Sequence, residues 1–291
     1  MLLSIITPTY NREDYIDRLY SSLKKQICFD FEWIVVDDGS SDNTEERYKE
    51  ILKSDIPFRI SYKRINNSGK HKAINSILDD LKGDLSLILD SDDWLPEYAV
   101  DKIKSDWEEY RTYDIAGLVY KRDIVNRENV HFPRKIAIEY MDNYITNSEY
   151  PNDVCEVVRT DLLKINHFPE IENEKFCDES VVWHAIGLQK KYVYIDDFIY
   201  CCEYLPEGLS NNAKKIRISS PRGQMIKCRV YFGERISRKL KMKYTMIFII
   251  YAFFAGLRLR DIAREFKNEK WKILMIPCGH FLYKLWKVKY E

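Results

Sequence analysis

Short apolar runs alternate with helical patterns through the first hundred residues, and this alternation constrains the fold more than any other feature. The runs predict four strands, at residues 2–10, 31–40, 58–65 and 84–90. The patterns between them predict helices at residues 13–26, 42–52 and 69–81. Because strands that alternate with helices form a parallel sheet covered on both faces, the sequence predicts an α/β fold.

A polar cluster follows each of the four predicted strands. In chain order the clusters are residues 9–11, 37–42, 66–72 and 90–93. Ligands of parallel sheets bind beyond the carboxyl ends of the strands, so we expect the four clusters to form one site. The first strand is not followed by GxGxxG and the chain lacks GxxxxGK[ST]. Neither a dinucleotide-binding Rossmann site nor a P-loop is therefore predicted.

Three carboxylates, those of Asp90, Asp92 and Asp93, lie within four residues at the end of the fourth strand. They repel one another unless a positive charge lies between them, and a divalent cation would supply that charge. Mg²⁺ and Mn²⁺ bind one or two carboxylates together with phosphate oxygens of the substrate. This interpretation predicts a nucleoside diphosphate derivative bound with a divalent ion. The alternative is an acidic turn punctuated by Pro96.

Acidic and basic residues are equal in number, at 46 each, but they are unevenly distributed. Residues 214–291 hold 20 Lys and Arg against 5 Asp and Glu, a net +15, so the rest of the chain carries −15. The seven cysteines are odd in number and form no CxxC, and the N-terminus lacks the basic region of a signal peptide. We therefore expect reduced thiols in a cytoplasmic protein.

Four motifs follow one another in the first hundred residues: SIITPTYNREDYIDRLYSSLKKQ, FEWIVVDDGSSDNT, GKHKAIN and LILDSDDWLPE. In this order and spacing they resemble the family 2 glycosyltransferases, which have the GT-A fold. The match spans roughly residues 1 to 210. Three later segments, VCEVVRTDLL, FPEIENEKFCDESVVW and EYLPEGLS, resemble a bacterial branch that builds capsular and other surface polysaccharides.

The resemblance implies a domain organisation and a reaction. Residues 1–213 would form a GT-A catalytic domain, with a nucleotide-sugar half at about 1–100 and an acceptor half at about 101–213. Residues 214–291 would form a basic helical extension. The reaction would be a metal-dependent, inverting transfer of a hexosyl or N-acetylhexosaminyl group from a UDP-sugar to a saccharide acceptor, in surface polysaccharide synthesis. Acceptors in that branch are usually lipid-linked.

The resemblance also assigns residues to the nucleotide. The base site would be lined by Thr7, Pro8, Thr9 and Tyr10, with Tyr10 stacking on or flanking the uracil. Asp38 would accept a hydrogen bond from the uracil ring N–H, which cytosine cannot donate at that position. Lys70 would lie near the phosphates, where Gly69 gives the backbone freedom to approach and a helix presents its positive end.

The acids of the fourth cluster match the DxD signature of the family. Asp92 would bind Mn²⁺ or Mg²⁺, while Asp90 would contact the ribose or the sugar. Asp93 would either bind the metal through water or hold Asp92 in place. The cation would neutralise the diphosphate and stabilise the departing UDP.

An inverting transfer needs a base that deprotonates the acceptor hydroxyl. Glu179 is the first candidate, since family members have an acid four residues before an aromatic at this place, here Trp183. Asp178 is the second, because the family's commoner order is Glu-Asp and this chain has Asp-Glu. The alternative is an acidic helix N-terminus, which the helix dipole favours. Asp153 and Glu203 are predicted acceptor contacts; for Glu203 a donor contact or a plain surface acid stays open.

The basic tail contains an apolar segment, residues 246–257, that is too short to cross a bilayer. It predicts either a buried helix packed on the catalytic domain or an interfacial helix. The net charge and residues 271–290, which mix Trp, Tyr and Lys with aliphatics, favour an anionic membrane surface at the inner face of the cell membrane. No recognised motif indicates nucleic-acid binding.

Two functions of other classes stay open. A nucleotidyltransferase also pairs acids with a metal and a nucleoside phosphate, but it would release pyrophosphate and would not need Glu179. A catalytically silent subunit would bind nucleotide or lipid and support a partner enzyme. A homo-oligomer or a complex with such a partner subunit is compatible with the sequence.

Overall fold

The computed structural model describes residues 3–128, 130–147, 150, 153–203 and 213–290. The chain divides into two compact units. The first comprises residues 1–167 and 186–205, and the second comprises residues 168–185 and 206–291. This division differs from the predicted boundary after residue 213, because residues 168–185 belong with the basic tail. Within the second unit, the Glu174 carboxylate accepts the backbone N–H groups of Arg222 and Gly223 at 2.9 and 2.8 Å.

One eight-stranded sheet runs through the described part of the first unit. Its strands are β1 (Leu3–Thr9), β2 (Phe31–Asp37), β3 (Arg59–Arg64), β4 (Leu85–Ile88), β5 (Gly117–Ile124), β6 (Ile136–Glu139), β7 (Val154–Arg159) and β8 (Tyr192–Cys202). Their order across the sheet is β3-β2-β1-β4-β7-β5-β8-β6. The four N-terminal strands pair in parallel, as do β5 and β8, whereas β7 and β6 pair antiparallel with their neighbours. The predicted, mostly parallel α/β sheet is confirmed.

Burial explains which strands lie at the centre of the sheet. Every residue of β1 and β2 is buried, which is typical of parallel strands covered on both faces. The edge strand β3 instead carries Arg59, Lys63 and Arg64 and is largely exposed, and charged side chains protect a sheet edge from pairing with another chain.

Helices connect the strands and form most of the tail. They are α1 (Ile16–Lys24), α2 (Thr44–Ile51), α3 (Lys70–Asn75), α4 (Ala99–Tyr110), α5 (Met141–Thr146), α6 (Thr160–Ile165), α7 (Ser180–Gln189), α8 (Ala213–Ser219), α9 (Pro221–Val230), α10 (Arg238–Phe254), α11 (Leu259–Glu265), α12 (Lys270–Ile273) and α13 (Ile276–Tyr290). The predicted helix at 69–81 is shorter than expected. It ends at Asn75 and continues as a 3₁₀ turn at Leu78–Asp80. Ser76 follows the helix and donates its hydroxyl to the Ala73 carbonyl at 2.7 Å, a local bond that competes with regular helix geometry.

The apolar segment of the tail is buried inside the second unit. Phe248, Ile249 and Ala252 of α10 are completely buried in a core that includes Met225 and Cys228 of α9. Its packing partners are thus helices of the tail itself, because these supply complementary apolar faces. Within the described residues, no helix combines the length and apolar character that a membrane span requires.

Candidate active site

Hydrogen bonds join the polar clusters that follow the first four strands. The Thr9 carbonyl accepts from the Asp38 N–H at 2.9 Å, which connects the ends of β1 and β2. Asn11 strengthens this connection, because its N–H donates to the Ser40 hydroxyl at 2.9 Å. The Ile65 N–H donates to the Asp37 carbonyl at 2.9 Å and so adds the end of β3. An ion pair between Lys70 and Asp90 adds the end of β4, so the four clusters meet at one edge of the sheet, as expected.

The first of these clusters continues β1 to Thr9 and leaves Tyr10 accessible. Pro8 lies within the strand, beyond the last β4 partner of β1, where its missing N–H interrupts no pairing with β4. The buried Thr7 hydroxyl accepts from the Trp33 indole N–H at 2.9 Å, and Thr9 is buried. Tyr10 is 46% exposed, so its ring can contact a planar ligand.

The two acids at the end of β2, Asp37 and Asp38, are both buried and both hydrogen-bonded. Asp37 accepts from the backbone N–H of Ser40 at 2.8 Å and from the Tyr62 hydroxyl at 2.6 Å, so it organises the turn and the neighbouring strand. Asp38 accepts the backbone N–H groups of Ser68 and Gly69 at 2.7 and 2.8 Å. Asp38 therefore fixes the loop that precedes Lys70, and a carboxylate with two oxygens retains capacity for a further donor.

Lys70 begins α3 and forms an ion pair with Asp90. The preceding Gly69 has φ 103°, a conformation that favours glycine, so the predicted need for backbone freedom at this position is confirmed. Burial alone raises the pKa of Asp90, but the charges of Lys70 and Arg122 outweigh it and hold that pKa below its ordinary value. Asp90 is thus an anion compensated by two cations.

Asp92 and Asp93 lie in a different electrostatic environment from Asp90. Burial, together with the negative charge of Asp90, raises the pKa of Asp92. The charge of Arg12, whose Nε lies 3.9 Å from the Asp92 carboxylate, only partly offsets this rise. The same two causes raise the pKa of Asp93 to about 7. A further positive charge at this turn would relieve both acids.

A divalent cation fits this turn in the manner that Mg²⁺ and Mn²⁺ prefer. The described residues contain no group of three or more His, Cys, Asp and Glu side chains arranged to hold a metal. Such a cage is not required where substrate phosphates supply most of the ligands and the protein supplies one or two carboxylates. Asp92 is the suitable carboxylate, because Asp90 is paired with Lys70 and the Asp93 carboxylate accepts a protein hydroxyl, that of Tyr200.

Two residues that the sequence did not single out, Tyr200 on β8 and Arg122 on β5, support this acidic turn. The buried Tyr200 hydroxyl accepts from the Asp90 N–H at 3.0 Å and donates to the Asp93 carboxylate at 2.7 Å. The Arg122 guanidinium lies over the Tyr200 ring, 4.4 Å from its centroid. Arg122 also approaches Asp153, with 3.3 Å between Nε and Oδ1, so the predicted acceptor residue is connected to the turn.

Glu203 is connected to the same turn through Arg18 of α1. One guanidinium nitrogen of Arg18 lies 3.1 Å from the Glu203 carboxylate, and another donates to the Asp92 carbonyl. The guanidinium also lies over the Trp94 ring, 4.3 Å from its centroid. Both predicted acceptor contacts thus reach the acidic turn of the first unit through an arginine.

The two candidates for the base lie in the second unit, immediately before α7. Asp178 accepts from Arg217 at 3.0 and 3.2 Å and from Gln224 at 2.9 Å, and its carboxylate lies 3.3 Å from the Lys227 ammonium. Although burial opposes it, the charges of Lys227 and Arg217 hold the pKa of Asp178 below its ordinary value. Glu179 is half-buried, and its carbonyl accepts the Val182 N–H at 3.0 Å. Asp178 is therefore engaged in a local network of cations.

Comparison with known proteins identifies the class to which such a fold and site belong. The family model described as "Glycosyl transferase family 2" matches residues 4–167, more than half of the chain. "Glycosyltransferase GlyG" of Streptococcus pneumoniae is 25% identical over 213 residues, which are 68% of this chain and 69% of GlyG. The poly(ribitol-phosphate) beta-N-acetylglucosaminyltransferase TarS of Staphylococcus aureus is 33% identical over 177 residues, which are 58% of this chain but only 30% of TarS.

Solved structures support the same fold. The structure of S. aureus TarS 1-349 in complex with UDP-GlcNAc has a TM-score of 0.63 at 21% identity, and covers 87% of this chain and 73% of that chain. The mannosyltransferase PcManGT from Pyrobaculum calidifontis, in complex with GDP-Man and Mn²⁺, has a TM-score of 0.56 at 15% identity and covers 98% of this chain and 83% of its own. These similarities confirm the expected GT-A fold.

Proposed function

The chain belongs to glycosyl transferase family 2, and from that premise we propose that it is a metal-dependent, inverting glycosyltransferase that uses a UDP-sugar. Its acceptor would be a lipid-linked saccharide, and the transfer would be a step in the synthesis of a bacterial surface polysaccharide. The observation that carries the proposal is the group of Lys70, Asp90, Asp92 and Asp93 at the carboxyl edge of a parallel sheet. One basic and three acidic side chains at that edge suit a diphosphate held with a divalent cation.

A uracil nucleotide is the donor that best suits the polar clusters after β1 and β2. Tyr10 offers an accessible ring for the base, and Asp38 offers a buried carboxylate that can accept the ring N–H. The complex of TarS with UDP-GlcNAc supports this donor class. The N-terminal end of α3, with Lys70 as its first residue, would face the diphosphate.

Each acid of the turn has a separate part in the proposed reaction. Asp92 would hold Mn²⁺ or Mg²⁺, and Asp90, kept ionised by Lys70, would contact the ribose or the sugar. Asp93, bonded to Tyr200, would hold the turn in shape rather than bind the metal directly. When bound, the cation supplies positive charge that stabilises UDP as the leaving group.

Glu179 is the better candidate for the base that takes the proton of the acceptor hydroxyl. A general base acts best with a pKa near the working pH, whereas two cations hold the pKa of Asp178 below its ordinary value. Asp178 would instead position the start of α7, so that Glu179 is presented from a fixed helix end. Asp153 and Glu203, each paired with an arginine, would contact the acceptor or the donor sugar.

The proposal is tested by measuring UDP release from a panel of UDP-sugars, with Mn²⁺, with Mg²⁺ and with EDTA. We expect slow hydrolysis of one donor that requires the metal. Asp92→Asn should abolish this turnover and weaken UDP binding, because the metal loses its carboxylate. Asp55→Asn, which changes an exposed acid outside the site, is the matched control and should behave as the wild type.

Other outcomes of this experiment would contradict the proposal. Release of pyrophosphate from a nucleoside triphosphate would indicate a nucleotidyltransferase. UDP binding without turnover, even with a lipid-linked saccharide added, would indicate a silent subunit. Turnover that persists in EDTA would refute the metal requirement and leave the transferase activity standing.

A further inference from the structure

The outward face of α13 carries a continuous apolar stripe. Its members are exposed side chains at spacings of three and four residues, which place them on one side of a helix: Cys278, Phe281, Leu285 and Val288. Phe281 is 61% exposed, Leu285 52% and Val288 89%. In the segment just before α13, Leu274 is 80% exposed and Trp271 is 39% exposed. These residues of the helix and of the segment before it are called the outer stripe below.

The opposite face of α13 is packed against α10, so the outer stripe is not a displaced part of the core. A Cβ atom added to Gly279 would lie 2.4 Å from Ile249 Cγ2, which shows how closely the two helices approach. Further along, the Tyr283 ring lies 4.8 Å from that of Phe254, and the Trp286 ring lies 6.1 Å from that of Tyr251. Contacts along the whole inner face fix the rotation of α13 and point the outer stripe away from α10.

Basic residues predominate in the sequence that carries the outer stripe. From residue 270 to residue 290 the sequence contains five lysines and no acid. In a helix, Lys284 and Lys289 border the stripe on its two sides, and Lys287 lies further round. All three side chains are exposed. An apolar stripe with lysines along its borders is the pattern of a helix that lies in a membrane interface.

We propose that α13 binds the surface of an anionic lipid bilayer through the outer stripe, with its axis in the plane of the membrane. The apolar side chains would enter the headgroup region, while the lysines, whose stems are apolar, would reach the lipid phosphates. An orientation in the plane suits the 15 residues of α13, which extend about 22 Å, less than the roughly 30 Å thickness of a bilayer core. Trp271, at the start of the outer stripe, suits the boundary between acyl chains and water.

A second copy of the chain is a poorer occupant of the same face. In a two-fold dimer, each patch meets the same patch of its partner. The lysines that border the outer stripe would then face lysines across the interface, with no acid between residues 270 and 290 to compensate them. An anionic lipid surface instead complements the charge over the whole face. The inference stands on α12 and α13 and is independent of the proposed transferase activity.

The test is co-sedimentation of the full chain with vesicles of phosphatidylcholine alone or mixed with phosphatidylglycerol. We expect binding to the mixed vesicles and little to the neutral ones. The double variant Phe281→Gln/Leu285→Gln should lose this binding. The matched control Ile27→Gln/Ile165→Gln changes two exposed isoleucines of the first unit, 64% and 76% exposed, and should bind as the wild type.

A second variant separates charge from apolar contact. Each lysine near an anionic surface contributes about fivefold to binding, so Lys284→Gln/Lys287→Gln/Lys289→Gln should weaken it on the order of 100-fold. The control Lys25→Gln/Lys53→Gln/Lys82→Gln removes three exposed lysines of the first unit and should change binding little. An environment-sensitive fluorophore on Cys278, an exposed cysteine of the outer stripe, should shift to the blue on mixed vesicles.

Three results would overturn the inference. The outer-stripe variant could bind mixed vesicles as the wild type does, or the wild type could bind neutral vesicles equally well. Light scattering could also show a dimer that dissociates in the outer-stripe variant while vesicles bind neither protein, which would identify a second copy as the occupant. Circular dichroism and UDP release without vesicles are expected to be unchanged in each variant, so loss of binding is not confused with unfolding or with failure of the proposed activity.

Discussion

The acidic turn depends on a single hydroxyl group, that of Tyr200, which bonds to two of its residues. Tyr200→Phe keeps the ring but leaves the Asp90 N–H and the Asp93 carboxylate without this partner. We expect a loss of about 1–3 kcal/mol in the free energy of unfolding, because buried polar groups lose a hydrogen bond, and a lower rate of UDP release. Denaturant unfolding and the UDP-release assay measure the two effects.

Tyr192→Phe is the matched control for this prediction. The Tyr192 hydroxyl is also buried, but it has no hydrogen-bond partner within the described part of the chain. Removing it should therefore cost little or even stabilise the protein. Equal losses of stability in Tyr192→Phe and Tyr200→Phe would show that the hydrogen bonds of Tyr200 contribute nothing specific.

Asp178 and Glu179 are adjacent acids for which opposite consequences are expected. Asp178→Asn removes the anion between Arg217 and Lys227, so it should cost about 3 kcal/mol of stability, as breaking a buried ion pair does. Glu179→Gln should leave stability and UDP-sugar affinity nearly unchanged and abolish transfer to the acceptor. Unfolding curves, UDP-sugar titration and product formation distinguish the two; undiminished transfer in Glu179→Gln would refute its role as base.

At the scale of elements, the packing of α13 on α10 depends on Gly279. Gly279→Ala places a methyl group 2.4 Å from Ile249 Cγ2, so the two helices must separate locally. We expect a loss of about 1–3 kcal/mol, the usual cost of overpacking a core, measured as a lower midpoint of thermal unfolding. Gly233→Ala is the control, because a methyl group added at Gly233 would lie 3.8 Å from the Val230 carbonyl oxygen, an ordinary van der Waals distance. Equal midpoints for the two variants would contradict close packing at Gly279.

Strands and helices were predictable where the hydrophobic pattern that defines them lies within a short stretch of sequence. The segments that form β1 and β2 are mostly apolar in sequence, and polar clusters follow them directly. The order of strands and clusters along the chain was therefore enough to predict that Asp38 and Asp92 lie at the same edge of the sheet. The pairing of Arg122 with Tyr200 was not predictable. It requires β5 and β8 to be neighbours, and their register is irregular between Tyr120 and Arg122, a tertiary property that no local pattern encodes.

The division of the chain into units also depended on long-range contacts. Residues 168–185 follow most of the first unit in sequence, and their apolar pattern does not indicate which segments they pack against. Glu174 and Asp178 pair with groups 39 to 49 residues later in the chain. The exposed side of α13 could not be predicted from sequence either. The helix carries apolar residues on both sides, and only its packing on α10 shows which side remains exposed.

At the scale of the whole molecule, two buried groups should make stability depend on pH in opposite directions. Burial, with the nearby charge of Lys227, lowers the pKa of His184 from 6.5 to about 3. Between these values the unfolded chain binds a proton that the folded chain does not, so stability rises with pH. Asp93 behaves inversely: its pKa is raised from 3.8 to about 7, so the folded chain binds the extra proton and stability falls as pH rises.

The two contributions overlap between about pH 4 and 6.5, and there they oppose each other in the wild type. His184→Gln removes the histidine contribution and leaves that of Asp93, to which the raised pKa of Asp92 adds in the same direction, so the free energy of unfolding should fall with rising pH by roughly 1 kcal/mol per unit. Asp93→Asn removes the Asp93 contribution and leaves that of His184, so the same quantity should rise with pH, by less than this amount because the raised pKa of Asp92 opposes it. Urea unfolding at half-unit steps of pH, in EDTA to exclude metal, measures both slopes. The Asp55→Asn control should parallel the wild type. If the pH dependence of His184→Gln also paralleled that of the wild type, His184 would contribute nothing to it. The inference that His184 is buried and neutral in the folded chain would then be refuted.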